Sequence, residues 1–212
     1  MNEYKIISIV KQKFPSTDFS VSLDSGECFE LSSDLVFKNS LSNGVSINEE
    51  TLKQIKLENE SISAKQTAYG FCSYKPRSEH QLRQKLNVKD FSDEAKEIAI
   101  DYMKQIKYID DMKFALDYAK ALQLRKNMPL NKIKSELYQK GISKFDIEDT
   151  LHQFADEDNE LNSALRAIHK KLKNKKFETD TELKYFIIQL LIKSGFSSDI
   201  ARSATEKYLN NE

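Results

Sequence analysis

A chain of 212 residues with 39% hydrophobic, 10% aromatic and 31% charged side chains has the apolar material for a packed core, which excludes wholesale disorder. Five glycines and three prolines are few for this length and argue for long helices over a many-turned β architecture. The formal net charge is zero, from 33 basic and 33 acidic residues, so bulk charge does not make this a polyanion-coating protein, although local basic faces remain open.

The charge is uneven along the chain: residues 1–63 hold six Lys/Arg against ten Asp/Glu, and residues 64–212 hold 27 against 23. Cys28 and Cys72 have no paired spacing, which fits a reducing compartment and gives no zinc framework. No apolar signal-like stretch opens the chain, and the longest apolar-rich run, Tyr185–Ile192, is interrupted by Gln189 and too short to span a bilayer. These features predict a cytoplasmic location with no membrane contact.

In chain order, Tyr4–Val10 is β-branched and apolar, and Phe19–Leu23 alternates apolar with polar as a half-buried strand does. Asp24-Ser25-Gly26-Glu27 is a turn, and Cys28–Leu31 alternates again, so a small antiparallel sheet is expected. Ser32–Leu41 reads as one short helix, followed by a Ser42-Asn43-Gly44 turn. Ile47-Asn48 opens the next helix, with Asn48 as N-cap and Ile47 placed to staple against Leu52.

From about residue 64 the pattern is helical throughout and it repeats. Leu82-x3-Leu86 is followed by Asp90-Phe91-Ser92. The same arrangement recurs 51 residues on as Ile133-x3-Leu137 with Gly141-Ile142-Ser143, and 54 residues later as Ile187-x3-Leu191 with Gly195-Phe196-Ser197. Gly141 and Gly195 suit the left-handed C-cap, and Ser92, Ser143 and Ser197 suit the N-cap of the helix that follows. The fold class expected is mainly α. Three tandem three-helix repeats form an elongated, curved solenoid, preceded by a small N-terminal β-rich segment. The divisions expected are 1–47 for the β-rich extension, 48–63 for a linking helix, and 64–110, 111–156 and 157–212 for the repeats. Solution scattering checks the elongation: a radius of gyration clearly above about 17 Å, the value for a compact globule of this length, is the expected result.

Three stretches carry a family resemblance. Arg77-Ser78-Glu79-x2-Leu82-x2-Lys85-Leu86 resembles the first-repeat signature of the RecX family, Tyr108-Ile109-Asp110-Asp111-x2-Phe114-Ala115 its second, and Glu136-Leu137-x2-Lys140-Gly141-Ile142 its third. The resemblance spans roughly residues 64–211, and the β-rich segment is similar to the extension on RecX proteins of low-GC Gram-positive bacteria. Val88-Lys89-Asp90-Phe91 departs from the usual Lys-Gly-Phe break, and Met128-Pro129 stands where Gly-Pro is commoner. The resemblance implies a non-enzymatic protein without cofactors that lies along the RecA filament on single-stranded DNA, and the chain is expected to be a monomer with weak direct DNA binding of its own. It implies inhibition of RecA's ATPase, strand-exchange and coprotease activities in recombination, repair and the SOS response. Periodicity alone implies only a helical binding protein, so a stand-alone nucleic-acid-binding repeat protein is the alternative.

Chemistry-bearing patterns are sparse. Asp110-Asp111 reads as an N-cap and a first-turn acid rather than a metal pair. His80, His152 and His169 fall in different repeats, and no phosphate-loop string occurs. Ser78 and Ser143 have no identifiable partner base, so no catalytic or metal residue is expected. Cys72 reads as a buried structural thiol, and Tyr69, Tyr102, Tyr108, Phe114 and Tyr118 read mostly as core. The open candidates are basic: Arg77, Arg83 and Lys85 in repeat one, Arg125, Lys126, Lys132 and Lys134 in repeat two, and Arg166, Lys170, Lys171, Lys173, Lys175 and Lys176 in an acid-free run in repeat three. They are either a solvated face, with Glu79 and Arg83 as an i,i+4 pair, or a stripe suited to a phosphate backbone or an acidic groove.

Overall fold

The computed structural model describes residues 3–13, 18–126, 128–154, 157–173 and 175–210. Among these, strands β1 (Glu3–Lys11), β2 (Phe19–Leu23), β3 (Cys28–Leu31) and β4 (Ser46–Asn48) form one antiparallel sheet in the order β3-β2-β1-β4. Helix α1 (Ser33–Lys38) lies between β3 and β4. Nine further helices follow among the described residues: α2 (Glu49–Ser73), α3 (Glu79–Asn87), α4 (Asp93–Gln105), α5 (Asp111–Lys126), α6 (Leu130–Gln139), α7 (Lys144–Phe154), α8 (Glu157–Leu172), α9 (Asp180–Ser194) and α10 (Ser198–Leu209). The chain divides into two compact units, residues up to 75 with 82–108, and 76–81 with 109 onward.

In the first unit the alternating residues Ile6, Val21, Leu23 and Leu31 turn inward onto Leu35 and Val36 of α1 and onto Leu52 and Ile55 of α2. Asn48 caps α2 by accepting from the Thr51 N–H at 2.8 Å, as its position predicts, and Ile47 and Leu52 share this core. Ser46–Asn48 also pairs with Glu3–Lys5 as β4, a strand that no local pattern announces. The division expected at 63/64 falls inside the continuous helix α2. Neither Gly nor Pro interrupts it there, and the hydroxyls of Ser61 and Ser63 bond back to the carbonyls of Leu57 and Asn59, so those polar groups are satisfied without breaking the helix. One helix thus serves two cores: its start covers the sheet, and Ala64, Ala68 and Cys72 are buried near its end.

The repeat pattern is realised helix for helix. Leu82 and Leu86 of α3, Ile133 and Leu137 of α6, and Ile187 and Leu191 of α9 are all fully buried, each adding about 1.5–3 kcal/mol of apolar burial. Ser92, Ser143 and Ser197 cap α4, α7 and α10 by accepting from the N–H of Ala95, Asp146 and Ile200. Gly141 and Gly195 have φ of 76° and 98°, the left-handed C-cap expected of them. Repeat one solves its break differently. The strained residue comes one helix later, where Lys107 ends α4 at φ 60° and the Tyr108 N–H closes back on the Met103 carbonyl. A non-glycine residue there costs about 1–2 kcal/mol.

The tyrosine expectation needs correcting: Tyr69, Tyr102 and Tyr108 are 48%, 38% and 39% exposed. On α2 the buried line is Ala64, Ala68 and Cys72, and on α4 it is Ala95, Ala99 and Met103. Tyr69 and Tyr102 are each one residue off those lines, about 100° around the helix. Phe114 and Tyr118 are half-buried, stacked at 5.6 Å against the core of repeat two.

Within the second unit one junction design occurs twice. The Gly141 turn lies so close to the first turn of α3 that a Cβ there would sit 2.2 Å from the His80 Cβ, and the fully buried Ser78 hydroxyl donates to the Lys140 carbonyl at 2.6 Å. The Gly195 turn lies likewise on the first turn of α6, against Lys132 and Pro129, with the Asn131 side-chain amide donating to the Gly195 carbonyl at 3.3 Å. An acid from the next repeat's first helix completes each junction. Asp111 accepts from the Glu79 N–H at 2.8 Å, and Glu160 accepts from the Leu130 backbone. Burial pushes the Glu160 carboxyl above its usual range, and the Leu130 bond partly offsets the push. Both acids meet orphan donors at a helix start.

Candidate functional site

The basic candidates separate once their surroundings are known. Arg83 is half-buried and forms a two-pronged ion pair with Glu97 of α4, the second prong at 2.8 Å. That hydrogen bond holds the Glu97 carboxyl below the usual range. The pair is an intra-repeat strut of zero net charge, a role the sequence spacing did not suggest. Arg77 is half-buried, and Lys85 is exposed with its Nζ 5.9 Å from the Phe71 ring centre. Lys134 is half-buried. Arg125 and Lys126 belong to α5, but their side chains lie outside the described residues.

Three of the remaining candidates meet at the α6–α8–α9 junction. Lys132 of α6 and Lys170 and Lys171 of α8 are exposed and rim one cleft of about 240 Å³, whose other walls are Met128, Pro129, Ala167, Leu190, Ser194 and Phe196. None of these lining residues is acidic. The cleft is placed by the fold, because the close approach of the Gly195 turn to α6 sets Lys132 opposite the last turns of α8. Three ammonium groups around an apolar wall concentrate positive potential, since the wall screens less than water does. Arg166 is exposed and donates to the Ser163 hydroxyl at 3.4 Å. Lys173 and Lys175 line a second depression of about 430 Å³ with His169, Leu172, Phe177, Leu183 and Tyr208. There His169 packs edge-on to Tyr208 at 5.1 Å, and the Lys175 ammonium stands 4.2 Å over the Phe186 ring. Lys176 is exposed. Among the described residues no group of three metal-ligating side chains comes together, and no helix is long and apolar enough to cross a membrane.

Comparison with known proteins gives the chain its place. The family described as RecX, first three-helix domain, matches residues 64–103. The chain is 31% identical over 210 residues to the regulatory protein RecX of Clostridium botulinum (strain Eklund 17B / Type B), covering 98% of both. The chain belongs to the RecX family. It is also 29% identical over 205 residues to the regulatory protein RecX of Clostridioides difficile, covering 97% of this chain and 96% of that one. A crystal structure of regulatory protein RecX matches with a TM-score of 0.70 over 96% of this chain and 99% of that chain at 23% identity. The crystal structure of RecX from Lactobacillus salivarius matches with a TM-score of 0.66 over 71% of this chain and 97% of that chain at 20% identity. These two likenesses, the first over nearly the whole chain, establish the RecX fold.

In this RecX chain the three signature stretches meet in space, but away from the basic cleft. Ser78, Asp111, Lys140 and Gly141, one or two from each stretch, build the junction at the start of α3. Ser78 is committed there as the cap of α3, in a reciprocal box with Gln81. The apolar partners of the lysines have no signal in the sequence. Met128, Leu190 and Phe196 read as ordinary core or break residues, and only the folded junction sets them beside Lys132, Lys170 and Lys171.

Proposed function

We propose that this RecX-family chain is a negative modulator of RecA. It binds along the groove of the RecA filament on single-stranded DNA and inhibits RecA's ATPase, strand-exchange and coprotease activities in recombination, DNA repair and the SOS response. It acts as a cytoplasmic monomer, without catalysis or a cofactor of its own. The observation that supports the reading, beside family membership, is the acid-free cleft rimmed by Lys132, Lys170 and Lys171, a surface complementary to an acidic groove or to phosphates. A protein of repeated units suits a filament of repeated subunits. After the first contact the others become intramolecular, so modest contacts add through effective concentration.

The test is RecA's DNA-dependent ATP hydrolysis, titrated with wild type and with the Lys132→Glu/Lys170→Glu/Lys171→Glu variant at two salt concentrations. The variant is expected to need roughly tenfold more protein for half-inhibition, with a weaker salt dependence, because each lost phosphate contact lowers the salt slope by about one. Equal inhibition by both proteins at both salts would leave the cleft as solvated surface, and no inhibition by wild type would sink the RecA reading. The acid-free run from Arg166 to Lys176 also favours the alternative, a stand-alone nucleic-acid-binding protein. The two separate on whether RecA responds at concentrations too low to coat the DNA. A third expected result is that the purified protein alone hydrolyses neither ATP, DNA nor peptide. Turnover that co-purifies with the chain through successive columns would overturn it.

A further inference from the structure

We propose that Tyr69, Tyr102 and Tyr108, with Lys65 beside them, form a platform on which bases of single-stranded nucleic acid stack. The platform is separate from the lysine cleft, and it does not rest on the RecA reading. Lys65 and Tyr69 are one turn apart on α2, on a common face of the helix. The ammonium of Lys65 stands 5.2 Å over the ring of Tyr102 on α4, and the ring of Tyr69 lies 5.0 Å from that of Tyr108, tilted by 40°. The Tyr69 and Tyr108 hydroxyls are hydrogen-bonded to each other at 3.2 Å. That bond fixes the two rings as a pair and raises the Tyr108 hydroxyl above its usual pKa. All three rings remain substantially open to solvent, although the cores beside them are closed with alanines and Met103.

The backbone next to Tyr108 is held in place too. Lys107 adopts the left-handed conformation that glycine takes without strain, and the Tyr108 N–H is tied to the Met103 carbonyl. Lys107, exposed and next to Tyr108 in the chain, stands at that position where a glycine would relieve the backbone. Asp101 precedes Tyr102 and is exposed, but successive helical side chains diverge by about 100°. Exposed tyrosines also suit protein contacts. Lys65 decides for a polyanion: solvent-open aromatic rings with an ammonium group over one of them are the elements by which single strands are bound through stacking and backbone attraction together.

The full chain is tested by fluorescence anisotropy, without RecA, on a labelled oligothymidylate and on an abasic deoxyribose-phosphate oligomer of the same length. Wild type is expected to bind the oligothymidylate at least tenfold more tightly than the abasic strand. The Tyr69→Ala/Tyr108→Ala variant is expected to lose about tenfold on oligothymidylate and little on the abasic strand. Tyr69→Phe/Tyr108→Phe keeps the rings and should bind nearly as wild type, while Lys65→Glu should weaken both strands. The chain has nine tyrosines and no tryptophan, so stacking is also read on unmodified protein as quenching of tyrosine fluorescence by oligothymidylate but not by the abasic strand. This readout decides the matter if the alanine variant melts early. Equal wild-type affinity for the two strands, an alanine variant that melts like wild type and binds oligothymidylate unchanged, or absence of quenching would each overturn the platform. An alanine variant that keeps oligothymidylate binding but loses RecA inhibition would make the face a protein contact, and would overturn it equally.

Discussion

Gly141→Ala is expected to lower stability by about 2–5 kcal/mol in urea unfolding, the largest effect of any glycine substitution in the chain. Two separate penalties add. The left-handed φ of 76° costs a side-chain-bearing residue about 1–2 kcal/mol, and the new methyl would meet the His80 Cβ at 2.2 Å and its Cγ at 2.3 Å. Overpacking of that kind costs about 1–3 kcal/mol. Two other glycines serve as controls. Gly26 has φ 87° with nothing within 4 Å of an added Cβ, so Gly26→Ala carries only the backbone penalty, partly offset by the unfolded-state entropy it removes. Gly195→Ala falls between, because its nearest neighbours at 3.0 and 3.3 Å are carbons of the flexible Lys132 side chain. The order expected is thus Gly141, then Gly195, then Gly26. The cause is tested by a second substitution. His80→Ala should not rescue Gly141→Ala, because the closest clashing atom is the Cβ that alanine keeps, whereas His80→Gly should recover the steric share. Equal losses at all three glycines would mean that close approach contributes nothing.

That junction marks how far the amino-acid order alone could be read. The repeat was legible because it rests on local rules: apolar pairs one turn apart, a glycine that ends a helix and a serine that starts the next all lie within a dozen residues of each other. The strands were legible for the same reason, since alternation in Phe19–Leu23 and Cys28–Leu31 is local. What escaped depends on residues far apart in the chain. The strand at Ser46–Asn48 exists only because Glu3–Lys5 offers it an edge. Gly141 is the C-cap its place in the sequence predicts, but nothing near it in the sequence announces His80. The spacing of Arg83 points to Glu79 four residues away, while a two-pronged partner is Glu97 on the next helix.

The candidate surface follows the same rule. The run from Arg166 to Lys176 is visible as a charge pattern, but the cleft is not, because Lys132 reaches it from another repeat through the packing of Gly195 on α6. The tyrosines show a limit of periodicity itself. A helical stripe identifies a face to within about one residue, and Tyr69 and Tyr102 are each one residue from the buried line. Burial at the edge of a stripe is settled by what the neighbouring helix covers, so exposure there could be read only from the folded chain.

Ser78→Ala is expected to cost about 2–4 kcal/mol, far more than an ordinary N-cap substitution, and to be coupled to Asp111→Ala. The serine does two things at once. Its oxygen accepts from the Gln81 N–H at 3.3 Å as the cap of α3, and its hydroxyl donates to the Lys140 carbonyl at 2.6 Å, in a site with no solvent exposure. Loss of a cap costs about 1 kcal/mol, and an acceptor stranded in a buried site adds about 1–3 kcal/mol. Ser143 provides the contrast. It caps α7 through the Asp146 N–H but is exposed, so Ser143→Ala should cost no more than about 1 kcal/mol. Asp111 holds the Glu79 N–H of the same helix start, and Asp111→Ala alone should cost about 1–2 kcal/mol, as a charged acceptor at a helix N-terminus. Once Ser78 is gone the first turn of α3 frays and leaves Asp111 less to hold, so the double variant should fall short of the summed losses by about 1 kcal/mol. Urea unfolding of the four proteins gives the cycle. Hydrogen exchange at the Glu79 and Gln81 amides locates the effect, and both should exchange faster in either single variant. Strict additivity, with Ser78→Ala no worse than Ser143→Ala, would mean that the signature residues are independent surface caps rather than one buried junction joining the start of α3 to the second repeat.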